Sequence, residues 1–296
     1  MTVSDQPRTW HTGDELPAEE RRARNTSSAS ENKIHEDEVA RQYGFRGGLV
    51  PGATSYAYIA SYLTRTLGVA WATHGSSTVA LVRPVYDGDT VRIGGAVTEA
   101  GGDAATGVVA VEAWLDDSDG VRCVPATARL AWPAPTVDLE RPAFSRTDRE
   151  PRRPEERGPI GAATAPVGEA LPPVLATADP EAVRQYLDGI DEMDALFREG
   201  SPFGAPLIHP GQWPNIANRV ISANFRLGPW IHTRSEIQHL GPALAGGTYR
   251  GYGEIVAAFE KRGHEYVTAD VLIVDGKDTP VVRMQHTAIV VVAARP

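Results

Sequence analysis

Apolar residues recur at helical spacing in two stretches of the chain, and each stretch begins at a Pro-Gly pair. After Pro51-Gly52, positions three or four apart are occupied by Tyr56, Ile59, Ala60, Leu63 and Leu67. After Pro210-Gly211, the same spacing is kept by Ile216, Val220, Ile221 and Asn224. This period predicts a helix with a buried face in each half of the chain, and Gly68 is placed as the C-terminal stop of the first.

Runs of β-type residues, separated by turn residues, follow each predicted helix. They cover residues 91–97, 107–115 and 121–132 in the first half, and 249–260, 265–274 and 280–292 in the second. The acidic segments 116–120 and 275–278 predict hairpin loops between the last two strands of each half. A helix followed by an antiparallel meander is an α+β unit, in which the sheet wraps the helix.

Landmarks around these elements repeat along the chain at a constant offset. The same 158 residues separate His74 from His232, Pro84 from Pro242, and Thr90 from Thr248. We therefore predict an internal repeat, with two α+β units in one chain forming a pseudo-dimer. The first unit covers residues 1–133 and the second covers residues 176–296. Residues 134–175 are rich in Pro and Arg and poor in apolar residues, which predicts an exposed linker.

The composition and charge of the chain exclude some classes of protein. The chain has 296 residues, of which 42% are hydrophobic and 23% charged, as in soluble globular proteins. A net charge of −9 argues against a general surface for nucleic acid or for an anionic membrane. We expect a cytoplasmic protein, because neither a signal peptide nor a long apolar span is visible. The one cysteine, Cys123, cannot form an internal disulfide, and we expect a packed thiol.

Candidate catalytic residues are concentrated in residues 27–35, ahead of the first predicted helix. This segment includes Asn32 and His35, and it is followed by a short predicted helix and the glycine-rich bend 44–48. Adding or removing water next to a thioester needs a base for the proton and a donor for the developing enolate oxygen. His35 can be the base, Asn32 can orient a water, and the N–H groups at the helix start near Gly52 can serve the oxygen.

The segment from Asn32 to His35, followed by Val50-Pro51-Gly52, resembles the motif of MaoC-like (R)-specific enoyl-CoA hydratases and dehydratases. The resemblance implies an α+β double hotdog fold, in which two antiparallel sheets each wrap a central helix. It also implies a lyase that adds water to an acyl thioester, or removes it, across a Cα–Cβ bond. The thioester partner would be acyl-CoA or an acyl-carrier protein, with no separate cofactor, nucleic acid or membrane. The chain would be a monomeric pseudo-dimer or a homodimer of it.

The chain departs from that motif at its acidic position. In the family an Asp and a His form the catalytic pair, but here the Asp position is taken by Ser30, and Lys33 replaces a proline. In the second half, Glu192 takes the acidic position and Phe197 replaces the histidine. Neither half therefore has the whole pair. We expect the first half to be reactive and the second half to hold the acyl group, with Phe197, Trp213 and Trp230 as candidates for that role.

The predicted catalytic set is His35, Asn32 and Ser30, where Ser30 binds a water or is a turn or capping residue. The predicted substrate contacts are Gly52, Val50, Tyr56 and His209. We interpret His74 and His232 as inherited scaffold. No metal site is expected, because His239, His264 and His286 lack ligand spacing. Alternatives are a catalytically degenerate hotdog that binds an acyl or aromatic ligand, and a hotdog thioesterase, isomerase or cyclase.

Overall fold

The computed structural model describes residues 9–27, 30–103, 106–133 and 145–293, and their strands form one ten-stranded antiparallel sheet. The strands of the first half are β1 (Glu15–Arg22), β2 (Ser76–Ala80), β3 (Thr90–Gly102), β4 (Gly107–Asp116) and β5 (Arg122–Trp132). Those of the second half are β6 (Ala170–Thr177), β7 (Ile231–His239), β8 (Thr248–Lys261), β9 (His264–Asp275) and β10 (Pro280–Val291). The strand order is β1-β3-β4-β5-β2-β7-β10-β9-β8-β6.

The two halves of the sheet have the same internal order, so the predicted repeat is present in the structure. Counted from the outer edge, the first half runs β1-β3-β4-β5-β2 and the second runs β6-β8-β9-β10-β7. The strands β3 and β8 begin at Thr90 and Thr248, two of the landmarks separated by 158 residues.

The two predicted sheets are the halves of a single continuous sheet, because β2 pairs with β7 in the middle. In that pair Thr78 lies opposite Glu236, and these two residues are themselves 158 apart. The pseudo-twofold axis of the repeat therefore passes between them. The innermost strand of each half pairs with that of the other half, so the side chains at the centre of the sheet come from both halves.

The helices are α1 (Asp37–Gln42), α2 (Gly52–His74), α3 (Pro180–Gly189), α4 (Ala195–Arg198) and α5 (Trp213–Ser222). The helix α2 is buried on nearly all sides and packs against β4, β5 and β7. Tyr56, Ile59 and Leu63 of α2 are fully buried, and burying a large apolar side chain stabilises the fold by about 1.5–3 kcal/mol. This helix is the centre of the core, which explains why it is apolar beyond a single stripe.

Gly68 does not end the first helix as predicted but interrupts it. Its φ of 78° and ψ of −175° are non-helical, and α2 resumes after it and continues to His74. This conformation is open mainly to glycine. The second predicted helix is shorter than its counterpart, because a 3-10 turn at Pro210–Gln212 precedes α5.

The outer strands β1 and β6 were not predicted. The sequence of β1 is mostly charged and that of β6 contains two consecutive prolines, and both features are tolerated at sheet edges. The strand β6 begins at Ala170, within the segment 134–175 assigned to a linker. The described part of that segment lies along the second half, where Arg157 Nη1 donates to the Ser222 carbonyl.

Candidate functional site

A cavity of about 260 Å³ lies where the start of α2 meets the strand β7 of the other half. The first half contributes Asn32, Ile34, His35, Phe45, Leu49, Val50, Pro51, Gly52, Ser55 and residues 81–85. The second half contributes Asn218, residues 230–233, Tyr266 and Ile289. The walls are mainly apolar, with a small set of polar groups, as in ligand sites generally.

Asn32 and His35 face this cavity because a 3-10 turn, Lys33–His35, begins directly after Asn32. The side chain of Asn32 caps the turn, since its Oδ1 accepts from the Ile34 N–H at 3.4 Å. Asparagine favours such a position because its short side chain reaches the backbone two residues on. The turn places the His35 ring on the same side as the Asn32 amide.

The hydrogen bonds of His35 determine its tautomer. Its Nδ1 lies 2.8 Å from the Leu49 carbonyl oxygen, which can only accept, so Nδ1 carries the proton. Its Nε2 therefore has a lone pair, which lies 3.3 Å from the Asn32 Nδ2. Burial lowers the pKa of His35, and the bond to Leu49 opposes this only in part. His35 is therefore neutral at pH 7 and can accept a proton at Nε2.

Asn32 is fixed by the second half of the chain. Its Nδ2 donates to the Trp230 carbonyl at 2.9 Å and its Oδ1 accepts from the Trp230 N–H at 3.2 Å. The second hydrogen of the amide is directed at His35 Nε2. Both amide hydrogens are thus engaged, and Asn32 links the His35 ring to the backbone of Trp230.

The start of α2 lies at the same cavity, which Gly52 and Ser55 line. The first N–H groups of the helix, at Gly52, Ala53 and Thr54, precede the first helical hydrogen bond, which Ser55 makes to the Pro51 carbonyl. They lie at the positive end of the helix dipole, which favours a negatively charged oxygen. A Cβ at Gly52 would lie 2.8 Å from His232 Nδ1, so only glycine fits this close approach.

A buried histidine of the second half, His232, adjoins this helix start, and its ring lies 4.2 Å from that of a second buried histidine, His286. His232 Nε2 lies 2.8 Å from Ser235 Oγ, which lies 3.0 Å from His286 Nδ1. Burial lowers the pKa of His232 to about 3 and that of His286 well below its usual value. Sequence reasoning assigned His232 to scaffold and gave His286 no role. The pairing of Ser235 with His286 across β7 and β10 joins residues distant in sequence, so no local motif marks it.

Three predicted site residues, Ser30, Tyr56 and His209, lie outside the residues that line the cavity. The hydroxyl of Ser30 donates to the Asn32 carbonyl at 3.3 Å, and therefore stabilises the turn. Tyr56, predicted as a substrate contact, lies instead in the core of α2, where its hydroxyl is 3.0 Å from Ser77 Oγ. Burial raises the pKa of Tyr56 far above its usual value. Val50 and Gly52, by contrast, do line the cavity.

His209, also predicted as a substrate contact, lies in a separate, closed cluster with Ser61 and Glu192. Its Nδ1 accepts from the Gly211 N–H at 3.1 Å, so Nε2 carries the proton and donates to Ser61 Oγ at 3.0 Å. Ser61 in turn hydrogen bonds to Glu192. All three side chains are almost fully buried, and the ring of Phe197 packs on His209 at 4.6 Å.

Charge in this cluster is carried by Glu192 rather than by His209. Burial lowers the pKa of His209 to about 4. Burial opposes ionisation of Glu192, but Ser61, His209, the Asp194 N–H and Arg65 together lower its pKa. Arg65 reaches Glu192 at 3.3 Å. The acidic position of the second half is therefore occupied by a buried ion pair.

A smaller cavity of about 200 Å³ lies in the second half, lined mainly by β6, α3 and α5. Of the residues predicted to hold an acyl group there, Trp213 lines it, while Trp230 lines the larger cavity and Phe197 packs on His209. Within the described ranges, no group of three or more His, Cys, Asp or Glu side chains is placed to hold a metal ion. None of the helices in the described part of the chain is both long and apolar enough to cross a membrane.

Comparison with solved structures identifies this architecture. A putative MaoC domain protein dehydratase from Chloroflexus aurantiacus J-10-fl has a TM-score of 0.67 at 14% identity, with 95% of each chain covered. A conserved hypothetical protein from Mycobacterium tuberculosis, described as a double hotdog, has a TM-score of 0.68 at 14% identity, covering 95% of this chain and 96% of its own. This chain is a double hotdog.

The double hotdog is also similar to a putative oleoyl thioesterase from Lactobacillus plantarum. That structure has a TM-score of 0.50 at 11% identity, with 94% of this chain and 97% of the other covered. At the level of sequence, no protein-family model and no curated protein matches this chain. The structural likeness at such low identity concerns the fold, which MaoC-like dehydratases and thioesterases share.

Proposed function

We propose that this double hotdog is an acyl-thioester hydratase/dehydratase, with His35 as its base. The observation that carries the proposal is the neutral His35 ring, whose Nε2 accepts only a long hydrogen bond from Asn32 and lies at a cavity that the N-terminus of α2 also lines. A proton acceptor and an oxyanion site in one apolar cavity are the two requirements for adding water to an enoyl thioester.

In the proposed hydration, a water oxygen bonds to Cβ while His35 Nε2 takes a proton from that water. The electrons of the Cα–Cβ double bond move to the thioester oxygen, and the resulting enolate is stabilised by the Gly52 N–H at the start of α2. His35 then returns its proton to Cα and the carbonyl re-forms. Dehydration is the reverse. A single base serves both proton steps, because Ser30 is hydrogen bonded to the backbone and cannot ionise at neutral pH.

The size and the edge of the cavity support a class of substrate. A volume of about 260 Å³ suits a short acyl group and is below the usual range for larger ligands. Arg83, at the exposed edge, makes no hydrogen bond or ion pair through its guanidinium within the described residues. A free cation there supports a carrier with phosphate groups, which is acyl-CoA or a phosphopantetheine-bearing carrier protein.

The test is hydration of short enoyl-CoA thioesters, followed by loss of the conjugated absorbance. Activity should be present in the parent and lost in His35→Ala, while His11→Ala changes an exposed histidine and should retain it. Release of free thiol, followed in the same reactions, separates hydrolysis from hydration. A parent that hydrates no enoyl thioester, or a His35→Ala variant that keeps the parent rate, would overturn the proposal.

The missing carboxylate at Ser30 favours a second candidate, a double hotdog that binds an acyl thioester without turning it over. Trp230 lines the cavity, so its fluorescence should report binding. A saturable change in fluorescence, with neither hydration nor thiol release, would support this candidate over the enzyme.

A further inference from the structure

We propose that Ser55 and Asn218 bind a neutral oxygen atom on the distal part of the acyl group, either a hydroxyl or an oxo group. The substrate would then be a short, oxygenated acyl thioester rather than a plain hydrocarbon one. This inference rests on the proposed function and deepens it, because it specifies the acyl group on which the same cavity acts.

The first observation is a buried serine hydroxyl that lacks a partner. Ser55 lines the larger cavity and is 2% exposed. A serine inside a helix can bond the carbonyl four residues earlier, and Thr64 and Thr73 of the same helix make such bonds at 2.8 and 2.9 Å. The Ser55 hydroxyl makes no hydrogen bond within the described ranges. It is therefore left for a group in the cavity.

The second observation is an unpaired amide on α5. Asn218 lines the same cavity, and its Oδ1 is buried without a partner among the described residues. Its Nδ2 makes no hydrogen bond in that part of the chain either. Because Oδ1 is shielded while the side chain lines the cavity, Nδ2 is the amide atom that faces it. This nitrogen can only donate, so the ligand group beside it must accept.

The position of Ser55 on α2 indicates which part of the substrate it meets. Ser55 follows Gly52 by three residues, so it lies on the same helix face, about 4.5 Å further along the axis. The exposed edge of the cavity is marked by Arg83, whereas α2 continues inward through the fully buried Tyr56 and Ile59. With the carrier at the exposed edge, the acyl group runs inward along α2, and its distal carbons reach Ser55.

The other lining residues favour a neutral group at this end. Among the described residues that line the cavity, Arg83 is the one charged side chain, and it lies at the exposed edge. Burial lowers the pKa of both His35 and His232, so their rings are neutral. A carboxylate beside Ser55 would therefore be buried without a counter-charge, which is costly. A hydroxyl or an oxo oxygen can accept from Asn218 Nδ2 without that cost.

Binding of saturated CoA thioesters tests the inference without turnover. Calorimetry should find that 4-hydroxybutyryl-CoA or 4-oxopentanoyl-CoA binds about tenfold more tightly than pentanoyl-CoA, the effect of one added hydrogen bond. The tighter of the two shows whether a hydroxyl or an oxo group is preferred. In 3-hydroxybutyryl-CoA the oxygen is at the carbon that hydration attacks, and its gain should be smaller. Equal affinity for all four, or the largest gain with 3-hydroxybutyryl-CoA, would overturn the inference.

Two variants test whether Ser55 and Asn218 cause this preference. Asn218→Leu and Ser55→Ala each remove one polar group, so each should weaken binding of the oxygenated thioester and leave the affinity for pentanoyl-CoA unchanged or higher. Asn215→Leu is the matched control, because Asn215 is also on α5 but lines the smaller cavity. It should keep the parent's preference. Equal weakening of both thioesters by Asn218→Leu and Ser55→Ala would show a structural role and overturn the inference.

Kinetics separate this inference from the proposed function. In the parent, kcat/KM should be higher for 4-hydroxybut-2-enoyl-CoA than for pent-2-enoyl-CoA, and Asn218→Leu should remove this difference. If neither is hydrated but the binding preference is found and is lost in Asn218→Leu, the proposed function fails and the inference stands. If both are hydrated and no binding preference is found, the proposed function stands and the inference fails.

Discussion

At the scale of the residue, the proposed chemistry depends on one neutral histidine whose orientation is set from both halves. Leu49 holds His35 Nδ1, and Asn32, itself bonded to Trp230, lies beside Nε2. The bond between Asn32 and His35 is long, at 3.3 Å, so a substrate or water can compete for Nε2. Substitutions beside His35 Nε2 should therefore change the pKa of His35 without disrupting the fold.

Asn32→Asp is a nearly isosteric test of this protonation. The carboxylate would place negative charge beside His35 Nε2, which should raise the pKa of His35 from its lowered value. The base would then be protonated over a wider range, so the acid limb of the pH profile of kcat/KM should move to higher pH. Asn32→Ala, which brings no charge, is the control. An acid limb that stays in place in Asn32→Asp would show that His35 is not the titrating base.

Arg83→Ala tests whether Arg83 binds the phosphate groups of the thioester carrier. Loss of the exposed cation should raise KM for a CoA thioester with little change in kcat, because phosphate contacts far from the reacting carbons bind ground and transition states alike. A thioester of pantetheine without phosphates should be unaffected. Arg92→Ala removes an exposed arginine that does not line the cavity and serves as the control. Equal KM changes in both variants would contradict a role of Arg83 in recognition.

At the scale of the element, α2 connects the core with the site. The apolar spacing predicts this helix, and the Pro-Gly pair predicts where it begins. The first turn of the helix lines the cavity. At the break, Gly68 has a φ of 78°, and a Cβ added to it would meet no other atom within 4 Å. The requirement for glycine is therefore purely one of backbone conformation. That makes Gly68 a clean position for a stability measurement.

Gly68→Ala should lower the free energy of unfolding by about 1–3 kcal/mol, the range for a non-glycine residue in this region of φ and ψ. Gly158→Ala is the matched control, because a Cβ there also meets nothing and the φ of Gly158 is not positive. Denaturant unfolding of the two variants measures the difference. If both variants unfold like the parent, α2 does not hold Gly68 in this conformation.

Helices and strands with a regular pattern of apolar residues could be predicted from the sequence, while the strands at the edges of the sheet could not. The strands β4 and β5 and the three repeat mates follow the predicted runs within one residue at each end, while β3 continues five residues beyond its run of 91–97. The edge strands β1 and β6 lack an apolar period, because edges need little burial. In the site, Asn32 and His35 are close in sequence and carry a motif. The link from Asn32 to Trp230 spans 198 residues and has no local signal.

At the scale of the whole molecule, neutral histidines buried in the core make the fold sensitive to acid. Burial lowers the pKa of His209 and His239 to about 4 and that of His232 to about 3, with His286 well below its usual value. The unfolded chain protonates all of them near pH 6.5, but the folded chain does not. Stability is therefore complete above about pH 6.5 and decreases as the pH falls towards the lowered values.

The melting temperature should fall steeply between about pH 6.5 and about pH 4.5, with each buried histidine contributing up to about 1.4 kcal/mol per pH unit. His239→Asn should flatten this dependence, because an amide can keep the donor to the Trp71 carbonyl without titrating. Thermal unfolding across this range measures both effects. A melting temperature that is constant down to about pH 4.5 would contradict neutral burial of these rings.

The pairing of Thr78 with Glu236 on the pseudo-twofold axis has a consequence for the ancestry of the chain. A protein made of a single half would have used the same strand edge to form a symmetric homodimer, with two identical clefts. Fusing two copies of its gene removes that identity, because each copy can then mutate alone. One descendant cleft retains a histidine at residue 35, while the other has Phe197 and the buried Glu192. In this chain the second half instead lines the cavity of the first, through residues 230–233.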